Sequence, residues 1–70
     1  MNQIYTFCLN GQKYRTTFHP TISDLIYYFG YNHSLLVVEY NQFICNKTEW
    51  NKIFIQQNDT IEIVTIVGGG

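Results

Sequence analysis

The last six residues, TIVGGG, set three glycines, Gly68, Gly69 and Gly70, directly behind a run of β-branched residues. Glycine loses more backbone freedom on ordering than any other residue, so three in a row predict a flexible tail over residues 68–70. One reading is a frayed end or a linker. The other is that a carboxylate without a neighbouring Cβ is presented to something. Such a group can thread a narrow channel, and a nucleophile can approach its carbonyl unobstructed. The remaining side chains with reactive potential form no set. His19 and His33 sit at element boundaries without a paired carboxylate or nucleophile, and read as solvated loop histidines. Cys8 and Cys45 are far apart and lack the His partners of a zinc motif, so they read as ordinary thiols. Neither a catalytic residue nor a metal site is expected on this chain.

The elements that must carry such a tail follow from the pattern. Residues 4–9 mix aromatic, β-branched and apolar types, and Asn10-Gly11 after them is a strong hairpin signal. Tyr5, Phe7 and Leu9 are expected on the core face, with Cys8 opposite. In the second strand Tyr14, Thr16 and Phe18 share one face, with Lys13, Arg15 and Thr17 on the other. His19-Pro20 ends that strand. Thr21-Ile22-Ser23-Asp24 has the form of a helix N-cap, and Ile22, Leu25, Ile26 and Phe29 recur at helical spacing up to Gly30 or Asn32. Residues 35–40 form a strand, Asn41-Gln42 a turn and residues 43–45 a short strand. Residues 48–52 suggest one irregular or 3₁₀ turn, and Asn58-Asp59 turns the chain into a last strand over residues 61–67.

The order β-β-α-β-(β)-β allows one packing that buries both apolar faces: one helix on one face of a mixed sheet. The class is α+β, the β-grasp or ubiquitin-like arrangement, with four to five strands. Residues 1–67 form the domain, followed by the tail at 68–70. The last strand is apolar on both faces, as a central strand is.

Bulk properties exclude several function classes. The 70 residues make one domain, and 46% hydrophobic residues compensate for the small size. Net charge is −1, with Lys13, Arg15, Lys47 and Lys52 scattered, which argues against nucleic-acid binding. The N-terminus has no basic n-region, and the longest apolar stretch, residues 35–38, is too short to cross a membrane.

Four stretches together resemble the ThiS family, the sulfur carriers of thiamine biosynthesis within the ubiquitin-like superfamily. They are LNGQKY, TISDLIYYF, VVEYNQFICNKTEW and, most specifically, NDTIEIVTIVGGG. The resemblance implies that Gly70 is the reacting residue, presented by Gly69 and Gly68. An E1-like adenylating enzyme would use ATP to activate its carboxylate. Sulfur would then displace AMP, leaving a thiocarboxylate that donates sulfur at a thiazole synthase. The chain itself would bind no cofactor, would not be an enzyme, and would be a monomer when free, in the cytoplasm or a plastid stroma.

Partner docking is expected on the sheet face away from the helix. Ile61 and Ile63 face the core, so Val64 and Ile66 face out, with Val37 beside them. Trp50 is expected to pin the irregular segment to the core. Two other readings stay open. One is a molybdopterin synthase small subunit, with the same chemistry and a different acceptor. The other is a non-covalent β-grasp interaction module whose glycines are incidental.

Overall fold

Two tight turns set the strand pairing. A computed structural model describes residues 3–32 and 35–66. β1 (Tyr5–Leu9) returns through Asn10 and Gly11 into β2 (Gln12–Thr16). Both turn residues have positive φ, 51° and 81°, the backbone of the two-residue turn whose twist matches the flanking strands. β3 (Leu36–Tyr40) returns through Asn41 and Gln42, at φ 51° and 75°, into β4 (Phe43–Cys45).

Between the hairpins lies α1 (Ile22–Tyr28). Thr21 Oγ1 accepts from the Asp24 amide at 3.1 Å, and Asp24 Oδ2 accepts from the Thr21 amide at 2.9 Å. This reciprocal cap satisfies two of the orphan donors at the helix start. At the other end Gly30 takes φ 75°, its amide bonds the Tyr27 carbonyl, and the Tyr31 amide bonds that of Ile26. This pair of bonds closes a helix on a left-handed residue, and glycine adopts that conformation without a Cβ penalty.

A 3₁₀ turn (Lys47–Glu49) precedes β5 (Thr60–Thr65). The sheet order is β2-β1-β5-β3-β4. β5 is central, parallel to β1 and antiparallel to β3. This is the expected mixed sheet with one helix, and the strand count, expected at four to five, is five. The core comprises Phe7, Leu9, Ile22, Leu25, Ile26, Val38, Trp50, Ile55, Ile61 and Ile63. Trp50 is buried, as expected, and its Nε1 donates to the Cys45 carbonyl at 3.1 Å.

Several expectations need correction. β2 stops at Thr16, so Phe18 leaves the Tyr14 face and is 79% exposed. Tyr5 is only partly buried and stacks on His19, with ring centroids 4.6 Å apart. β3 begins at Leu36 rather than residue 35, and β5 starts one residue earlier than expected and ends at Thr65, before Ile66, where a strand over residues 61–67 was expected. Residues 53–55, which the pattern leaves unassigned, lie outside the sheet. They dock as a bridge between Phe54 and Thr21, with Ile55 fully buried.

Candidate functional site

β5 delivers the C-terminal segment, and three sets of bonds hold it. At its start, Asp59 is buried and accepts from Tyr40 Oη (2.5 Å), Asn41 Nδ2 (3.0 Å) and the Gln56 amide (2.6 Å). Asn41 in turn accepts from the Thr60 amide at 2.8 Å. This network ties the head of β5 to the β3–β4 turn. Burial, and then the bond to the Asp59 carboxylate, push the Tyr40 phenol up to about 12.

Along its middle, β5 outruns β1. The parallel pairing ends at Leu9–Ile61, because β1 then turns into the hairpin. The Asn10 side chain takes over. Its Oδ1 accepts from the Ile63 amide at 2.7 Å, and its Nδ2 donates to the Ile63 carbonyl at 3.3 Å and to Tyr31 Oη at 3.1 Å. The amide side chain stands in for a strand residue that is not there. At its end, β5 pairs Thr65 with Leu36, and the Ile66 amide donates to the Leu35 carbonyl at 2.7 Å. Gly68, Gly69 and Gly70, the candidate reacting tail, lie outside the described residues.

The register defines the outer face. Val64 lies directly opposite Val37 and is 54% exposed; Ile66 is 49% exposed. The two valines expected there are thus neighbours, and Ile66 follows where the strand ends. Ile44, 73% exposed, sits opposite Glu39 and so joins this face. That residue was missed, although a two-residue turn at Asn41-Gln42 already implies its register. Glu39 lies opposite Glu62, a like-charge pair that disfavours the sheet.

Among the described residues, no group of three His, Cys, Asp or Glu side chains could hold a metal. His19 packs between Tyr5 and Phe54 and contacts Gln56 Nε2 at 3.3 Å. His33 lies outside the described residues. Cys8 and Cys45 are not in a disulfide, and burial, then Glu49, push the Cys45 thiol up, away from the thiolate that sulfur chemistry would need.

Comparison with known proteins matches residues 8–70 to the family model described as the ThiS family. An uncharacterized protein, ycf40, of Trieres chinensis is 63% identical over 65 residues, spanning 93% of this chain and 89% of that protein. The sulfur carrier protein ThiS of Bacillus subtilis is 36% identical over 50 residues, 71% of this chain and 76% of that protein. The crystal structure of a thiamine biosynthesis protein (ThiS) from Geobacter metallireducens is similar with a TM-score of 0.79, covering 93% of this chain and 99% of that one. At 16% identity that likeness is one of fold.

Proposed function

This chain belongs to the ThiS family, and from that premise we propose that it carries sulfur for thiamine biosynthesis on the carboxyl group of Gly70. A carboxylate is a poor acyl donor, so an E1-like adenylating partner first transfers AMP from ATP to it, releasing pyrophosphate. A sulfur nucleophile then attacks the acyl carbon, the bond to AMP breaks, and a thiocarboxylate remains. That sulfur is passed to a thiazole synthase for the thiazole ring. The chain is the substrate of these enzymes and supplies no catalytic group. We place its work in the cytoplasm or a plastid stroma.

One observation carries the proposal: the family match, residues 8–70, runs through the three glycines, which come in the sequence just after Ile66 and Val67, beyond the end of the central strand at Thr65. A central strand bonded on both sides is a rigid base from which a short tail can be aimed. Gly69 and Gly68 would present Gly70 in a narrow channel. Val64, Val37 and Ile66, with Ile44 beside them, would dock the partners.

The test is intact mass after incubation with an E1-like adenylating enzyme, ATP and a sulfide source. We expect one oxygen replaced by sulfur, and no change in a chain lacking Gly70. An unchanged mass in the intact chain would overturn the proposal.

A further inference from the structure

We propose that the open edge of β2, with the aromatic groove between β2 and α1, takes an extended acidic–apolar peptide segment of a partner protein as an added strand. This surface lies on the edge strand, separated from β5 by β1. It therefore stands whether or not Gly70 carries sulfur.

The backbone makes the first part of the case. The amides of Cys8 and Asn10 donate toward β5, to the carbonyls of Asp59 and Ile61, and the Thr6 carbonyl accepts from the Asn58 amide. Phe7 and Leu9 must then use their polar groups toward β2, on Tyr14 and Gln12. By the same alternation the N–H and C=O groups of Lys13 and Arg15 point to the open edge. Two donors and two acceptors at two-residue spacing form half of a strand ladder.

The side chains make the second part. On the helix side, a groove of about 780 Å³ runs beside β2. Its floor is a chain of touching rings that reaches from core to surface: Phe7 to Tyr14 at 5.8 Å, Tyr14 to Phe29 at 5.2 Å and Phe29 to Tyr28 at 5.1 Å. At its rim Phe18, Tyr27 and Tyr28 are 79%, 88% and 80% exposed. Aromatic residues that keep an apolar face in water beside a groove are the usual anchors of an interface. By strand alternation Lys13 and Arg15 belong to the opposite face of β2, although Arg15 also lines the groove, as does Asp24 from the helix side. Among the described residues the ion pair formed is Lys52–Glu49, so neither cation has a carboxylate partner there.

A strand added to β2 sends alternate side chains to these two faces. Those level with Tyr14 and Thr16 enter the aromatic groove, and those level with Lys13 and Arg15 meet two cations. The fitting sequence alternates apolar and acidic residues. A second copy of this chain is a poor occupant, because antiparallel pairing of β2 with itself would bring Lys13 and Arg15 against their own counterparts.

The probe is a capped octapeptide of alternating valine and glutamate, titrated into nitrogen-labelled protein and followed by backbone amide shifts. We expect saturable shifts centred on residues 12–16 and slowed exchange of the Lys13 and Arg15 amides. The same peptide with lysine for glutamate should bind about tenfold more weakly. The double variant Lys13→Glu, Arg15→Glu should reverse that preference, and Tyr28→Ser, at an exposed position, should weaken binding about tenfold without unfolding the domain. Shifts on the Val37–Val64 face, indifference to the charge reversal, absence of binding, or concentration-dependent β2 shifts without peptide would each overturn the proposal, the last in favour of self-association.

Discussion

The side chain of Asn10 satisfies both backbone polar groups of Ile63, 53 residues away, with its Oδ1 2.7 Å from the Ile63 amide. It extends the parallel side of β5 past the point where β1 has turned away. Asn10 also holds φ 51°, a conformation asparagine tolerates better than most residues. Asn10→Gly keeps the turn and removes the clamp. We expect it to cost about 1–3 kcal/mol, the cost of leaving a partly buried donor unpaired. The sharper measurement is amide exchange, which should speed up at Ile63 while Leu9 and Gln12 keep their protection. Unchanged protection at Ile63 would show that the strand holds itself.

Thr21 and Asp24 cap α1 reciprocally. Thr21→Ala or Asp24→Ala should each destabilise the domain by about 0.5–2 kcal/mol in denaturant unfolding. Thiocarboxylate formation should be intact in the fraction that stays folded. A large loss of activity at unchanged stability would instead place the helix start in a partner interface.

Tyr40 predicts a pH dependence. Its folded-state pKa of about 12 lies above the ordinary 10.0, so folding favours the neutral phenol. Its contribution is complete below pH 10 and is lost as pH rises toward about 12. Stability should therefore fall across that window, and more steeply than in Tyr40→Phe, which lacks the titrating group. Parallel curves for the two proteins would remove Tyr40 as the cause.

The tail and the outer face should fail differently. Gly70 has no side chain to bury, so deleting it should leave thermal unfolding unchanged. Adenylation should nevertheless collapse, because the carboxylate stops roughly 3.3–3.6 Å short of its target. Gly70→Ala keeps the reach but crowds the reacting carbon, and should be impaired less. Val64→Asp leaves the reacting group alone and weakens docking, so a higher concentration of the adenylating enzyme should partly restore it. Activation of the Gly70 deletion at the full-length rate would sink the carboxyl-terminal chemistry.

The elements were legible in the sequence where short-range physics decides them. Asn10-Gly11 permits two positive φ angles, Thr21 to Asp24 spells a cap, and Ile61 and Ile63 alternate toward a core. From these came the helix, both hairpins, the central place of the last strand, and Val64 beside Val37. The tail of glycines, the chemically suggestive feature, is also a matter of sequence alone. What tertiary structure decided are pairings between segments far apart in the chain. Asn10 reaching Ile63, Asp59 buried under Tyr40, and Phe18 left at the rim of a groove depend on which strand ends where. Local pattern sets dihedral angles and the face a side chain points to. It does not set how far one strand outruns its neighbour, and that offset leaves backbone groups that a remote side chain must satisfy.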